Sequence, residues 1–291
     1  MTLVSDKQIN KALILAGTGD ARNLIEYLVP VLVAHNAEFL ISVVGENAAI
    51  EYNEKKFPVR SGAMDILEMK KLVEDQSISM IIDATHPFAA EVSRNAMLSA
   101  DQAKIHYIRY ERPKTQIKNN SENDKTDLII PGENDLVFCV ENHEEAVRLA
   151  ISLQKKLNKN LTIMLTTGVK SLEFYCQKLL ASIGFHTVVR LLPSVENLLL
   201  CQKYNISQAD IIAMQGPFSK ELNKELFLKY KIDVLISKES GSAGSTEEKI
   251  LAAGELGIKS IVVNRPDLKY QNLCRSFNEV KESLIKILSK E

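Results

Sequence analysis

Three residues whose side chains could take part in binding or catalysis lie together at the end of one apolar segment. In SMIIDATHPFAAEVSRNA, an apolar run ends in Asp83, Thr85 and His86, and Pro87 follows directly. A hydroxyl and an imidazole at a strand end can face a ligand above a sheet and take part in catalysis. Alternatively, Thr85 caps a helix whose first turn contains Pro87, and His86 is solvated. Asp83 lies further back in the strand, where we expect hydrogen bonds to the backbone or a loop.

A glycine turn near the N-terminus forms a second group. In LAGTGDAR, Gly17 and Gly19 allow a tight turn and a close approach of the backbone to a diphosphate. The N-terminus of the following helix offers unpaired N–H groups to an anion. Arg22 stands where the dinucleotide motif has its third glycine and can contribute charge to a phosphate. The alternative is a plain strand-to-helix turn with a surface arginine.

The end of the second strand bears on the choice of nucleotide. The segment SVVGEN has no acid at the position that receives the adenosine ribose, since Glu46 comes late. This weakens an NAD interpretation and leaves room for NADP. Lys55, Lys56 and Arg60 lie in the same connection but form no clear basic cluster.

Cationic side chains recur near the ends of strands and turns. They are Arg94, Arg109, Arg112, Lys170, Arg190, Lys220, Lys238 and Arg265. If several face one cleft, they can bind a polyanion, whereas individually each is typical of a solvated surface charge. Two loops of the second half, in AMQGPFSKELN and ISKESGSAGSTEEKI, add glycines and serines that allow close backbone approach or cap helices. No motif of acyl-transfer, zinc-protease or P-loop chemistry is present.

Alternating apolar strands and amphipathic helices must position these groups. The strands predicted in the first half are KALILAG, FLISVV, SMIID and KIHYIRY, and those in the second are LVFCV, LTIMLT, HTVVRLL, DIIAMQ, DVLIS and SIVVN. This predicts an α/β fold of two Rossmann-like domains, with parallel sheets flanked by helices and an active-site cleft between the domains. The predicted boundaries are 1–112 for the cofactor domain, 113–134 for a polar linker and 135–291 for the substrate domain. Pro30 is expected to break the first helix.

Three short echoes connect the two halves. LAGTGD resembles MLTTGV, HYIRYERP resembles SIVVNRP, and IIDATHPFAAEVS resembles IIAMQGPFSKELN. They are consistent with an internal duplication or with chance similarity of strand–helix units. In either case they mark the carboxyl ends of strands, where open α/β sheets bind ligands.

The bulk composition restricts the function. The chain has 291 residues and a formal net charge of -1, which offers no strong field to nucleic acid or to an acidic membrane. No segment approaches the length of a membrane span, and the N-terminus lacks a secretion signal. Four cysteines without CxxC spacing indicate reduced thiols in a cytoplasmic chain, and no metal site is predicted.

Taken together, these segments resemble the precorrin-6A reductases of cobalamin (vitamin B12) biosynthesis. The matching pieces run in the family's order from Leu15 to Pro266. They are LAGTGDAR, IIDATHPFAAEVSRNA, YIRYERP, LTTGVKSLEFY, RLLPSVENLLLC, IIAMQGPFSKELN, ISKESGSAGSTEEKILAAGELGI and VVNRP. The resemblance implies hydride transfer from NADPH to one double bond of the (cobalt-)precorrin-6A macrocycle, with a proton added to the neighbouring carbon. Relatives carry Gly-Arg where this chain has Gly62-Ala63, so NADH is not excluded.

The resemblance also implies roles for individual residues. The cofactor would contact Gly17, Thr18, Gly19, Asp20, Ala21, Arg22, Ser42, Thr85, His86 and Pro87. His86 and Thr85 would be catalytic, with bound water as the other candidate proton donor. The carboxylate-rich tetrapyrrole would contact Arg94, Arg112, Thr167, Gly168, Lys170, Arg190, Gln215, Gly216, Pro217, Ser219, Lys238, Ser240 and Gly241.

Two other functions remain open from the sequence. One is a non-catalytic NAD(P)-binding regulatory module, and the other is a reductase of another large anionic substrate. The sequence makes no prediction of oligomeric state.

Overall fold

Each half of the chain forms its own parallel sheet, as the continuous apolar strands predict. The computed structural model describes residues 10–114, 136–180, 184–241 and 246–289. The chain divides into two compact units. Unit 1 comprises Met1–Pro113 and Asp267–Glu291, and unit 2 comprises Lys114–Pro266.

Unit 1 contains a six-stranded sheet in the order β12-β5-β4-β1-β2-β3. Its strands are β1 (Lys11–Leu15), β2 (Glu38–Val43), β3 (Val59–Ser61), β4 (Met80–Asp83), β5 (His106–Tyr110) and β12 (Leu273–Cys274). Every neighbouring pair is parallel. The chain order therefore reverses between β1 and β4, and this switch point is where doubly wound sheets bind their ligands.

Helices cover both faces of this sheet. They are α1 (Gly19–Ala34), α2 (Glu46–Glu54), α3 (Ile66–Asp75), α4 (Ala90–Ala103) and α10 (Phe277–Leu288). On one face Leu24 and Leu284, from α1 and α10, belong to a core with Ile14 of β1. On the other face Met69 and Ala96, from α3 and α4, pack against the strand residues whose side chains point to that face. Burial on both faces explains why the strands are apolar throughout.

Unit 2 repeats this architecture. Its strands are β6 (Val137–Val140), β7 (Leu161–Leu165), β8 (Phe185–Leu191), β9 (Ile211–Ala213), β10 (Val234–Lys238) and β11 (Lys259–Val263). They form a six-stranded parallel sheet in the order β6-β11-β10-β7-β8-β9. Its helices are α5 (His143–Leu157), α6 (Leu172–Tyr175), α7 (Val195–Lys203), α8 (Lys220–Lys229) and α9 (Thr246–Glu255). The predicted fold class of two parallel sheets flanked by helices is confirmed.

The two sheets have the same spatial plan. Counted from β1 and from β7, both follow the order 3-2-1-4-5, and the sixth position holds β12 in one sheet and β6 in the other. Two of the three sequence echoes fall on equivalent strands, β1 with β7 and β5 with β11. The third does not, because IIDATHPF ends β4 whereas IIAMQGPF ends β9, the edge strand of its sheet.

The structure differs from the sequence-based expectations in two places. The C-terminal segment, predicted within 135–291, joins unit 1 because β12 pairs with β5 and α10 packs against its core. Helix α1 continues through Pro30 to Ala34, since the buried Leu28 and Leu32 on either side of this exposed proline keep the helix on the sheet. Apart from residues 113–114, the predicted linker 113–134 lies outside the described residues.

Candidate active site

A buried hydrogen-bond network surrounds Asp83 at the end of β4. Its Oδ1 accepts bonds from the Thr85 hydroxyl at 2.7 Å, the Thr85 backbone N–H at 3.0 Å and the Arg109 guanidinium at 2.7 Å. Its Oδ2 accepts a 2.8 Å bond from the Tyr107 hydroxyl. Burial and the adjacent carboxylate raise the pKa of Tyr107, so the phenol stays protonated. Asp83 therefore organises the strand end, in agreement with the hydrogen-bonding role expected for it.

This network determines the orientation of the Thr85 hydroxyl. Its hydroxyl donates to Asp83 and accepts a 3.1 Å bond from Arg109. A hydroxyl that is engaged as donor and acceptor is held in one orientation and has no second proton to give. The residue also lies before the helix, because α4 begins at Ala90 with Ala89 at its N-cap. The alternative interpretation, in which Thr85 caps a helix with Pro87 in its first turn, is wrong.

His86 occupies the turn that leads from β4 to α4. Its Nδ1 accepts a 3.2 Å bond from the Phe88 backbone N–H, and its carbonyl accepts a 2.7 Å bond from Ala89. An imidazole nitrogen that accepts a bond carries no proton, so the proton of neutral His86 is assigned to Nε2. The half-buried ring is thereby oriented by the local backbone.

The glycine turn after β1 has the geometry of an anion cradle. Gly17 has φ of 127°, a conformation that favours glycine, and a Cβ added at Gly17 or Gly19 would meet no atom within 4 Å. Thr18 caps α1 by accepting a 3.0 Å bond from the Ala21 N–H. The open space above both glycines and the helix N-terminus fit the diphosphate of a dinucleotide.

A shallow cleft joins this turn to the Asp83 network. It is lined by Thr18, Asp20, Ala84, Thr85, Pro87, Tyr110, Glu111 and Arg112. Across it, Arg112 donates a 2.5 Å bond to the Asp20 carboxylate, and Arg112 is largely buried. The cleft lies at the carboxyl ends of β1, β4 and β5, which is the switch point of the sheet. Arg112, predicted as a substrate residue, is thus placed with the predicted cofactor residues.

Two arginines near the second strand have different environments. Arg22, near the start of α1, forms an ion pair with Glu51 of α2. Arg60 of β3 stands opposite Ser42 in the sheet, and its Nη1 donates a 2.9 Å bond to the Ser42 hydroxyl. The end of β2 therefore carries a guanidinium, although the sequence showed no clear basic cluster there. The parallel register of β2 and β3 creates this proximity, and β3 has only 3 residues.

The predicted residues of unit 2 gather at one edge of its sheet. Thr167, Gly168 and Lys170 follow β7, Arg190 lies near the end of β8, and Gln215, Gly216, Pro217 and Ser219 follow β9, while Lys238, Ser240 and Gly241 end or follow β10. Ser219 caps α8 by accepting a bond from Leu222 at 3.2 Å, and the Ser240 hydroxyl contacts that of Thr246 at 2.9 Å. Arg94 is instead an exposed residue of α4 in unit 1.

Lys238 belongs to a cationic group that the sequence only partly indicated. Burial, followed by the charge of Lys170, lowers the pKa of Lys238 to about 8. Burial and the Lys238 charge lower the pKa of His143, in α5, to about 4, so His143 is neutral near pH 7. Its Nδ1 lies 2.7 Å from the hydroxyl of the buried Tyr175. Sequence inspection assigned no role to His143 and Tyr175, because His143 lies outside the matching segments, Tyr175 stands only at the end of LTTGVKSLEFY, and 32 residues separate them.

The strand order, the glycine turn and its position at the switch point define a Rossmann-type nucleotide-binding protein with two α/β units. Residues 11–285 match the family model of precorrin-6x reductase CbiJ/CobK. The chain belongs to this family of oxidoreductases that act on a tetrapyrrole intermediate of cobalamin biosynthesis.

Similar proteins agree with this assignment. The cobalt-precorrin-6A reductase of Priestia megaterium is 36% identical over 273 residues, which cover 94% of this chain and 97% of that protein. The cobalt-precorrin-6A reductase of Salmonella typhimurium is 29% identical and covers 87% of each chain. The solved structure of CobK precorrin-6A reductase superimposes with a TM-score of 0.71 at 22% identity, covering 96% of this chain and 97% of that one, which supports the fold. None of the described helices combines the length and apolar character needed to cross a membrane.

Proposed function

We propose that this protein reduces one double bond of cobalt-precorrin-6A, with NADPH as the hydride donor. The observation that carries the proposal is the glycine turn of Gly17 and Gly19 at the switch point, beside Thr85, in a chain of the precorrin-6x reductase family. Four relatives that are at least 32% identical over most of this chain are named cobalt-precorrin-6A reductases, which favours the cobalt-containing substrate.

The residues of unit 1 suit a nicotinamide dinucleotide. Gly17–Arg22 would hold the diphosphate, with the N–H groups of the α1 N-terminus as donors. Arg60 beside Ser42, at the end of the second strand, supports a preference for NADPH, because a guanidinium there can pair with the 2′-phosphate of the adenosine ribose. Bound in this way, the cofactor would supply a hydride to a ring carbon.

The neighbouring ring carbon requires a proton to complete the reduction. We propose that His86, on the loop after β4, acts at the nicotinamide end of the site as proton donor or through positioning. The Thr85 hydroxyl, engaged by Asp83 and Arg109, would position and not donate. Bound water is the other proton source. Replacement of His86 by alanine distinguishes these roles, since near-normal turnover would remove His86 as the donor.

The residues of unit 2 suit a substrate rich in carboxylates. Lys170, Arg190 and Lys238 lie at the carboxyl ends of its strands, where the exposed Gly168 and Gly216 also follow strands. Hydride transfer requires positioning of the substrate more than a strong acid or base. We therefore expect the substrate site to contain cationic side chains that orient the macrocycle.

The decisive experiment is an anaerobic assay with NADPH or NADH and either precorrin-6A or its cobalt complex. We expect NADPH to be oxidised only when the cobalt complex of precorrin-6A is present. Failure of every combination, with NADPH still bound, would overturn the reductase proposal and favour a non-catalytic dinucleotide-binding module. Turnover of the metal-free substrate alone would contradict the cobalt assignment.

A further inference from the structure

Unit 2 buries two cationic side chains for which the described residues supply no ion-pair partner. Arg190 of β8 is 5% exposed, and Lys249 of α9 is also 5% exposed. The Arg190 Nη1 donates a 2.7 Å bond to the neutral amide oxygen of Asn223, and its guanidinium lies 4.2 Å from the centre of the Phe218 ring. In the part of the chain that the structure describes, no carboxylate forms an ion pair with either cation.

This arrangement is costly for the fold. Burial, followed by the charge of Arg190, lowers the pKa of Lys249 to about 7, and burial lowers that of Arg190 to about 10. Buried cations are normally paired, since leaving water without a counter-charge is unfavourable. The nearby charges offer no compensation, because Lys220 and Lys224 of α8 pair with Glu255 at the far end of α9, and Lys238 is a further cation. Asn223 supplies only a dipole.

We propose that Arg190 and Lys249 together bind one carboxylate group of the tetrapyrrole substrate. The inference rests on the proposed function and adds Lys249, to which the sequence analysis of ISKESGSAGSTEEKI gave no role, to the substrate site. Arg190 lies near the carboxyl end of β8, at the edge where the other predicted substrate residues gather. A carboxylate placed there would accept charge-assisted bonds from both cations and remove their mutual repulsion. A phosphate of the cofactor is the less favoured occupant, because the diphosphate cradle lies in unit 1.

The test measures binding of uroporphyrin, a tetrapyrrole with acetate and propionate groups, to the full chain by calorimetry at pH 8. The measurement is repeated in two buffers of different ionisation enthalpy, and the difference in binding enthalpy gives the number of protons taken up on binding. Lys249 is mostly neutral at this pH and should become charged beside the carboxylate, so we expect up to about one proton taken up at this residue. The Lys249→Met variant should bind at least about tenfold more weakly and lose this share of the uptake. Lys249→Arg should retain binding without the uptake, because arginine stays charged.

Thermal unfolding provides a readout independent of binding. In a buffer without polyanions, Lys249→Met should raise the Tm, since it replaces a buried amine that has no counter-charge with an apolar chain of similar length. The matched control is Lys229→Met on the exposed side of α8, which should change neither the Tm nor binding.

Several outcomes would overturn the inference. Unchanged affinity and unchanged proton uptake in Lys249→Met would remove Lys249 from the site. A lowered Tm with unchanged binding would show a structural role. Inorganic phosphate or NADPH that competes with uroporphyrin at this site with equal affinity would identify a general oxyanion site. Binding with the expected proton uptake, in a protein that reduces neither form of precorrin-6A, would instead refute the proposed function and leave the carboxylate site standing.

Discussion

The carboxylate of Asp83 and the guanidinium of Arg109 form a 2.7 Å ion pair between β4 and β5, and both side chains are fully buried. The pair sits beside the switch point and fixes Thr85, which bonds to both partners. Arg109 also contacts Glu111 at 3.3 Å, and its guanidinium lies 5.1 Å from the Tyr270 ring centre. Because Tyr270 follows unit 2 in the chain, this network ties the C-terminal segment to unit 1.

Asp83→Ala is expected to destabilise the protein by about 3–5 kcal/mol, because it leaves Arg109 charged and buried without its main partner. Urea unfolding measures the loss. As a matched control, Glu38→Ala removes the carboxylate of the partly exposed pair with Lys11, and should cost at most about 1 kcal/mol. If the two variants cost the same, the buried pair has no special role in stability. The double variant Asp83→Ala/Arg109→Met should recover part of the loss, since no unpaired charge remains.

Gly19→Asp is expected to abolish cofactor binding while leaving the fold intact. A Cβ at Gly19 would meet no atom within 4 Å, so the side chain fits, but its carboxylate would face the diphosphate. Like charges in contact should raise the Kd for NADPH at least about a hundredfold. Fluorescence titration measures the Kd, and circular dichroism verifies the fold. Gly254→Asp, on α9, also has open space and should bind NADPH normally. An unchanged Kd in Gly19→Asp would refute the proposed cradle.

Arg60→Met should weaken NADPH binding selectively. Loss of a charge-assisted bond to the 2′-phosphate should raise the Kd for NADPH about tenfold or more and leave the Kd for NADH nearly unchanged. Titration with both nucleotides measures this difference. The exposed Lys71→Met, on α3, controls for a general loss of positive charge. Equal weakening of both nucleotides would show that Arg60 supports the end of β2 and does not select the phosphate.

Acid should destabilise the protein through His143. The pKa of His143 in the folded protein is about 4, below the usual 6.5. Between these two pH values the unfolded chain therefore binds a proton at His143 that the folded chain does not bind. The contribution of His143 to the free energy of unfolding should therefore fall as pH drops from about 6.5 to about 4, and His143 should add no further loss below that range. Since His143 is only half-buried, we expect a loss on the order of 1 kcal/mol. His143→Gln should flatten this part of the pH profile, whereas the exposed His35→Gln should leave it unchanged. A profile that His143→Gln does not alter would contradict the assignment.

Local features of the sequence were sufficient to predict the strands and their type. Segments such as Ala12–Leu15 and Met80–Ile82 are apolar at every position, which is typical of strands buried on both faces. The glycine turn was predictable as well, since Gly17 adopts the φ that the motif requires. These properties depend on neighbouring residues alone. The position of β12 was not predictable, because its 2 residues carry no pattern and it forms only by pairing with β5.

By itself, the sequence determined the fold class, the family and the segments from which the candidate site is built. The tertiary structure alone decided which of those residues meet. Arg112 reaches Asp20 from 92 positions away, and the charge of Arg190 in β8 lowers the pKa of Lys249 in α9. Such contacts depend on strand order and register, which bring distant segments together. A sequence pattern records spacing along the chain, whereas ion pairs, burial and pKa depend on distances through space.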